Sequence, residues 1–462
     1  MKRICENLEQ IDNKMANPIE KLNRSKRLPS SLIERNFKTT NLLLRIGLQT
    51  SGNMVSDLLL GKSVNFNKSL LSKKNIHSAV ETLKELRGAA MKLGQLISID
   101  EQLILTPELS KITKQLSSSG YSMPPRQVKK ILDKNWEKGW LKNFNNFQVV
   151  PFASASIGQV HKAVLKDGSE VAIKIQFPNI RKTIKNDLNS LKFFINKLGL
   201  LPADFNVNHY FTLCENQLIA EIDYKLEAEN ILKFSNLCRA QDHLKVPKVI
   251  EKFSTDEILT MSFEEGYELS ADNLMEKSEK NKLAETLIEL LLDEIFIFQF
   301  VQTDPNLANF LIAPVKEKIV LLDFGSCSNV SDETRELYAA LLDIGLTLDR
   351  EKIKDFLLNL GFLTCEIDTE TNNLINELID TTIEELKSNE NFDFSNSKVF
   401  DFIKAEELKK FQKMIPNKLF GGDFVFIQRK ILGFLLFFHS LNASVPLLKI
   451  LKKYNLRNKN YG

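Results

Sequence analysis

The sequence predicts an α+β fold with two lobes, a smaller lobe that contains the first strands and a larger lobe that is mostly helical. This prediction rests on a strand pair over 158–165 and 170–176, a long apolar helix over 283–301, and a second strand pair over 309–312 and 319–322. The turn Asp167-Gly168 inside the first pair is a strong hairpin signal. A chain of 462 residues has room for both lobes and an N-terminal helical extension.

Composition argues against several classes of function. The net charge of +3 is too near balance to predict a nucleic-acid partner. The five cysteines are scattered and odd in number, which predicts reduced thiols, and the absence of a C-x2-C pair disfavours zinc. The sequence shows no signal-peptide pattern and favours no transit peptide, and no apolar run reaches the length of a spanning helix. We therefore expect a protein that is not secreted and that meets a membrane only at its surface.

The N-terminal part is predicted to be an arm over 1–75, partly disordered or in short helices, and a helical extension over 76–145. In the helix predicted over 78–100, apolar residues recur at steps of three and four and define a buried face. Lys92 and Gln95 lie on a second face beside it. Side chains of this kind on a helix flank are ordinarily solvated, so periodicity alone assigns them no role.

A loop of small residues precedes the first hairpin. Protein kinases place G-x-G-x-x-G here so that backbone amides approach phosphate closely. In this chain Gly158 remains, and the preceding residues are Ala153, Ser154, Ala155 and Ser156. Lys174 ends the V-A-I-K run of the second strand, where a kinase lysine reaches the ATP phosphates and pairs with a helix glutamate. We expect this loop to bind nucleotide with altered or weaker phosphate contacts.

A helix rich in carboxylates is predicted over 210–234. Glu221 and Glu227 are six residues apart, which is about 120° around one helix, so they would address two different cations. Any single glutamate here is ordinarily a surface charge. Glu227 is nevertheless the candidate partner for Lys174, because a kinase lobe must supply one.

Two strands, over 244–250 and 257–263, complete the smaller lobe, which is predicted to span 146–266. Met261 would face the adenine, although a buried methionine is most often a core residue. The larger lobe is predicted over 267–462, after a hinge at 264–266.

The second strand pair carries the candidate chemistry. Asp304 precedes it, Asn309 opens its first strand and Asp323-Phe324-Gly325 follows its second. A carboxylate to orient or deprotonate the acceptor, with an amide and a second carboxylate to hold Mg²⁺, is the set that phosphoryl transfer requires. The order Asp-x4-Asn, hairpin, Asp-Phe-Gly is that of protein kinases. Only 326–330 separate it from the next helix, which leaves no activation loop for a peptide substrate. A buried helix over 424–441 lies further on.

Residues 78–445 resemble the UbiB-type (AarF-like) atypical kinases, close to the eukaryotic coenzyme Q biosynthesis branch. The resemblance lies in the K-x-G-Q of Lys92–Gln95, PFASASIGQVH, the E-x-D of Glu221–Asp223 with Glu227 after it, QTDPNLANF and LLDFGS. Two departures are Ser154, where the close branch has alanine, and Asn306-Leu307-Ala308, which differs from bacterial members.

The resemblance implies a protein-kinase-like fold whose N-terminal helical extension lies across the site. It implies a regulatory Lys92–Glu221 pair together with Gln95, and it implies that Lys174 pairs with Glu227 and binds phosphates. Asp304 is then the catalytic aspartate, and Asn309 and Asp323 hold Mg²⁺.

The function expected is an ATP- and Mg²⁺-dependent atypical kinase or ATPase that supports ubiquinone biosynthesis. Its partners are a membrane lipid, a quinone-like molecule or ubiquinone biosynthetic proteins. It would act at the matrix face of the mitochondrial inner membrane in a eukaryote, or at the cytoplasmic side of the membrane in a bacterium. Two alternatives stay open: a pseudokinase scaffold that binds nucleotide without turnover, and a protein Ser/Thr kinase.

Overall fold

The computed structural model describes part of the chain, and predictions for the other residues lie outside the described ranges. The described residues are 92, 122–155, 157–198, 207–269, 275–304, 306–313, 318–361, 369–388, 390–404 and 422–461. They divide into two compact units. The first unit contains the described residues up to 235 and 247–264, and the second contains 236–246 and those from 265 onward.

The secondary structure of the described residues is mixed. Its helices are α1 (Pro125–Asn135), α2 (Ile180–Leu198), α3 (Val207–Glu221), α4 (Tyr224–Leu237), α5 (Lys277–Phe296), α6 (Asp332–Gly345), α7 (Arg350–Asn359), α8 (Thr369–Ser388), α9 (Val399–Lys404), α10 (Gly422–Leu441) and α11 (Leu447–Tyr461). Its strands are β1 (Phe144–Phe147), β2 (Ala153–Ser154), β3 (Gly158–Leu165), β4 (Glu170–Gln176), β5 (Leu244–Lys245), β6 (Ile258–Ser262), β7 (Tyr267–Glu268), β8 (Phe300–Gln302), β9 (Phe310–Ile312), β10 (Ile319–Leu321), β11 (Cys327–Asn329), β12 (Phe392–Asp393) and β13 (Ser444–Val445).

The first unit is built on an antiparallel sheet in the order β1-β3-β4-β6, with β2 beside β3. The bounds of β3 and β4 are those predicted, and the turn between them places Gly168 at a φ of +88°, where a residue without Cβ avoids strain. Successive side chains of β4 point to opposite faces of the sheet, and Val171, Ile173 and Ile175 share one face and are fully buried. The predicted hairpin is therefore confirmed.

The carboxylate-rich helix predicted over 210–234 is wrong as a single element. Two helices stand there, because α3 ends at Glu221 and α4 begins at Tyr224. Asp223 starts the second helix: its carboxylate accepts from the Leu226 N–H at 3.1 Å and its carbonyl accepts from the Glu227 N–H at 2.9 Å. The argument from a 120° separation on one helix therefore fails, although the two glutamates do address different cations.

The second unit contains a sheet in the order β5-β10-β9-β7 and a separate pair of β8 with β11. The strand predicted over 244–250 shortens to Leu244–Lys245, because Pro247 has no N–H to donate to a ladder. Val249, which belongs to the first unit, forms an isolated bridge to Met261 of the same unit. The strand predicted over 257–263 is present as Ile258–Ser262.

The long helix of the second unit differs from the prediction of 283–301 at both ends. It begins earlier, at Lys277, after a capping box formed by Glu276 and Glu279. It ends at Phe296, and the next residues form β8, paired with β11. An apolar sequence that runs on through residue 301 hid this change from helix to strand.

Helix α10 contains the predicted buried segment 424–441. The helix has 20 residues, and an 18-residue window within it has a mean hydropathy of 1.4, so by length and composition alone it could cross a membrane; this corrects the expectation that no run was long enough. Phe424, Ile427, Phe434 and Phe438 of this helix are nonetheless buried in the protein. Length and hydropathy therefore do not decide its environment.

Candidate functional site

A buried ion pair joins the strand lysine to a helix glutamate in the first unit. Lys174 Nζ donates to Glu227 Oε1 at 2.7 Å and to Oε2 at 2.9 Å. Glu227 is fully buried in the first turn of α4, Lys174 is 5% exposed, and the Tyr224 ring centroid lies 5.3 Å from the ammonium. Both carboxylate oxygens thus hold the lysine in one position.

A second buried ion pair joins Lys92 to Glu221, with 2.5 Å between Nζ and Oε1. Glu221 ends α3, whereas Glu227 begins the next helix, so the break at Asp223 separates their lysine partners. Both pairings implied by the resemblance are present. The regulatory role of Lys92 and Glu221 remains a prediction, and Gln95 lies outside the described residues.

The thiol of Cys214 is buried on α3 near this second pair. Desolvation raises the pKa of Cys214 to about 12, although the positive charge of Lys92 opposes the shift. The thiol is therefore neutral at physiological pH.

The small-residue loop forms part of the sheet. Ala153 and Ser154 make up β2 and pair with Val160 and Gln159 of β3, and the Ala155 N–H donates to the Gly158 carbonyl at 3.0 Å. Ser156 lies outside the described residues. The nucleotide-binding role of all four remains a prediction.

Gly158 has a packing requirement of its own. A Cβ at this position would collide with the Ile175 carbonyl oxygen and would lie 3.0 Å from the Tyr224 hydroxyl. The glycine therefore permits close approach of β3 to β4 and α4, whether or not it also faces phosphate.

Met261 lies in β6 opposite Ala172 and is 6% exposed. This burial agrees with a core residue, and contact with adenine remains a prediction.

In the second unit, the β9–β10 hairpin brings Asn309 and the residues before Asp323 together. The Leu322 N–H donates to the Asn309 carbonyl at 2.9 Å. Asp323 Oδ1 accepts from the Gly325 N–H at 2.9 Å, which fixes the carboxylate within the Asp-Phe-Gly turn. Asp304 follows β8, and its Oδ1 accepts from the Asn306 N–H at 3.2 Å.

The donor set fits Mg²⁺ and a nucleotide. Asn309 and Asp323 present amide and carboxylate oxygens, which are hard ligands, and Mg²⁺ is commonly held by one or two such groups together with substrate phosphates. Asn309 is 7% exposed, and its Nδ2 has no hydrogen-bond partner among the described residues. No group of three or more His, Cys, Asp or Glu that could hold a metal occurs in the described part of the chain. The assignment of Asn309 and Asp323 as Mg²⁺ ligands remains a prediction.

Sequence reasoning missed three buried residues beside the candidate metal segment. The Gln302 Nε2 donates to the Asp323 carbonyl oxygen, and the Gln302 N–H donates to Glu294 Oε1 at 3.3 Å. Glu294 in turn pairs with Lys430 of α10 at 2.5 Å. The available signal was a charged residue within the apolar part of each helix, Glu294 beside Asp293 and Lys430 beside Arg429, but nothing in the sequence pairs them.

Comparison with known proteins finds a family domain and relatives that cover most of the chain. The ABC1 atypical kinase-like domain matches residues 115–357, and the chain is 31% identical over 451 residues to the atypical kinase COQ8, mitochondrial, of Saccharomyces cerevisiae. The chain belongs to the ABC1 family of atypical kinases. This family is the UbiB-type family identified by resemblance, and its kinase-like domain makes the chain a kinase or ATPase by class.

Coverage differs among the relatives of this ABC1 kinase. The alignment with the yeast protein covers 96% of this chain and 89% of the relative. The atypical kinase COQ8B, mitochondrial, of Rattus norvegicus is 33% identical over 343 residues, which cover 74% of this chain and 65% of that protein. The chain thus spans just under two thirds of the rat protein.

A solved structure confirms the α+β kinase-like fold of this ABC1 kinase. The Rv3197–erythromycin complex from Mycobacterium tuberculosis matches with a TM-score of 0.56 and 24% identity, covering 83% of this chain and 96% of that one. At this identity the likeness shows the fold alone.

Proposed function

We propose that this ABC1 kinase is an ATP- and Mg²⁺-dependent atypical kinase or ATPase that supports ubiquinone biosynthesis at a membrane surface. The observation that carries the proposal is the buried Lys174–Glu227 pair, held at 2.7 and 2.9 Å. A lysine in this position would otherwise be an expensive buried charge, and contact with ATP phosphates gives it a use. The reacting partner would be a lipid, a quinone intermediate or a biosynthetic protein.

In this proposal Lys174 orients the ATP phosphates, and Glu227 keeps the Lys174 ammonium in place. Asp304 orients or deprotonates the acceptor hydroxyl or water. Asn309 and Asp323 would supply oxygens to Mg²⁺, and the metal, when bound, would neutralise charge that develops on the phosphates. The small residues Ala153, Ser154, Ala155 and Ser156, together with Met261, would contact the nucleotide.

Lys92, Glu221 and Gln95 are proposed to regulate turnover. The Lys92–Glu221 pair buries both charges, so replacing either residue would leave the other as a buried charge without this partner. This role belongs to the predicted extension over 76–145, placed between the arm over 1–75 and the lobes over 146–266 and 267–462.

The proposed location follows the relatives, whose names place them in mitochondria. A eukaryotic chain would act at the matrix face of the inner membrane, and a bacterial one at the cytoplasmic side of the membrane. A peptide substrate is disfavoured by the short segment after Gly325, where β11 at Cys327–Asn329 leads directly to the helix cap Ser331.

The test is nucleotide turnover by the purified chain with Mg²⁺, with and without anionic lipid vesicles and a quinone-like phenol. We expect the wild type to hydrolyse ATP faster with vesicles and Asp323→Asn to lose this activity. Asp332→Asn is the matched control, because Asp332 is exposed at the start of α6, and it should retain wild-type turnover. Nucleotide binding without turnover under every condition would instead support the scaffold.

A further inference from the structure

A fully buried ion pair connects two helices of the second unit. Lys430 of α10 and Glu294 of α5 lie 2.5 Å apart, and both side chains are 0% exposed. Burial raises the pKa of the Glu294 carboxyl, whereas the Lys430 ammonium favours its charged form. Buried ion pairs are often replaceable by apolar residues without loss of stability, so stability alone is a weak reason for this one.

The pair continues by hydrogen bonds to the candidate metal segment. Glu294 uses Oε2 for Lys430 and Oε1 to accept the backbone N–H of Gln302 at 3.3 Å. Gln302 is itself fully buried, and its side-chain Nε2 donates to the Asp323 carbonyl. One uninterrupted path thus runs from α10 to the peptide of Asp323.

Backbone hydrogen bonds hold the segments on both sides of this path. β8 pairs with β11 at Gln302 and Cys327, and the Thr303 N–H donates to the Ser326 carbonyl at 2.8 Å. These bonds fix the residues after Asp-Phe-Gly. The Gln302 side-chain amide adds a hydrogen bond to the carbonyl of Asp323 itself.

We propose that Glu294 and Lys430 are positioning residues for the Mg²⁺ site. Lys430 orients the Glu294 carboxylate, and Glu294 fixes the backbone of Gln302. The Gln302 side chain then holds the Asp323 carbonyl and so positions that residue. The inference rests on the proposed function, since it takes Asp323 as a Mg²⁺ ligand. Partners of this indirect kind typically change metal affinity by about 10- to 100-fold when they are lost.

Two double variants separate positioning from packing. Glu294→Gln with Lys430→Met removes both charges and keeps an oxygen that can accept the Gln302 N–H. Glu294→Leu with Lys430→Met removes both charges and that acceptor. Neither leaves an unpaired buried charge, which a single Lys430→Met would.

The measurement is the Mg²⁺ concentration that half-saturates metal-dependent ADP binding, alongside ADP affinity without metal and the urea midpoint. We expect the Gln/Met variant, which keeps the acceptor but loses the lysine that orients it, to need more Mg²⁺ than wild type, and the Leu/Met variant to need more still, roughly tenfold above wild type. Metal-free ADP affinity should be unchanged in both. Equal Mg²⁺ requirements in the two variants would overturn the inference. A loss of ADP affinity without metal that parallels a fall in the urea midpoint would overturn it as well.

Lys453→Met is the matched control. Lys453 of α11 pairs with Glu289 of the same helix α5 at 2.7 Å, but this contact is half-exposed and lies five residues before Glu294. The control removes a lysine–glutamate contact to α5 and should leave the Mg²⁺ requirement unchanged.

Two further variants keep the result decisive. If the Leu/Met variant does not fold, Gln302→Met breaks the path one step later with the ion pair intact, and a wild-type Mg²⁺ requirement there would refute the inference. Asp323→Asn tests the underlying assignment. If Asp323→Asn leaves the Mg²⁺ requirement unchanged, the proposed function itself fails; if it raises the requirement while the Leu/Met and Gln302 variants do not, only the positioning role fails.

Discussion

At the scale of single residues, two buried lysine–glutamate pairs give different surroundings to carboxylates that look alike in the sequence. Glu227 holds Lys174 with both oxygens, and Glu221 holds Lys92. Lys174, Asn309 and Asp323 could be named as candidate site residues from the sequence because each lies in a short local motif. Glu294 and Lys430 could not, because the contact joins residues 136 positions apart and only the folded chain brings them together.

Removing one partner of the Lys174–Glu227 pair should lower the stability of the protein. Lys174→Met leaves Glu227 buried without its cation, so we expect the free energy of unfolding to fall by about 3 kcal/mol. The double variant Lys174→Met with Glu227→Gln should recover most of this loss, since no buried charge remains. Urea unfolding of the two proteins measures both effects.

Lys225→Met is the control for that series. Lys225 pairs with Asp256 at 2.7 Å, but both side chains are 70% exposed. Solvent screens such a contact, so no measurable change in unfolding is expected. A loss as large as that of Lys174→Met would contradict the role assigned to burial.

At the scale of elements, the break between α3 and α4 decides which glutamate meets which lysine. The sequence favoured one helix because no glycine or proline interrupts 210–234. Asp223 makes the break instead, by accepting the Leu226 N–H and so capping α4. The β3–β4 hairpin, in contrast, could be predicted to the residue, because its turn and alternation are local signals.

The cap gives a prediction for α4. Asp223→Ala should lower the free energy of unfolding by about 1 kcal/mol, since the first turn loses its side-chain acceptor. Nucleotide affinity should fall as well, because Glu227 lies in that turn. Asp223→Asn retains an acceptor oxygen and should stay near wild type in both urea unfolding and nucleotide titration; equal losses in the two variants would argue against capping.

At the scale of the whole molecule, His161 makes stability depend on pH. Its ring is buried in the sheet, and its Nδ1 donates to the Gln148 carbonyl at 2.9 Å while its Nε2 accepts from Gln159 at 2.8 Å. Desolvation lowers the pKa of His161 from 6.5 to about 4. Between these two values the unfolded chain binds a proton that the folded protein does not, so stability rises with pH.

The expected size follows from that difference. Acidification from above 6.5 to about 4 should cost about 3 kcal/mol through this residue, with no further contribution above 6.5, where both states are neutral. His161→Gln removes the titrating group. The difference in unfolding free energy between wild type and variant should therefore vary over this window, and a constant difference would show that His161 contributes nothing to the pH dependence.

Helix α10 has a consequence for the life of the chain before it folds. As it leaves the ribosome, this 20-residue segment is apolar enough to be taken for a membrane anchor, and Arg429 and Lys430 stand near its middle. Each such charge adds about 3 kcal/mol to the cost of insertion into a bilayer. Lys430, which pairs with Glu294 inside the folded protein, thus also raises the free energy of inserting this helix into a bilayer, and Lys430→Met would lower that cost.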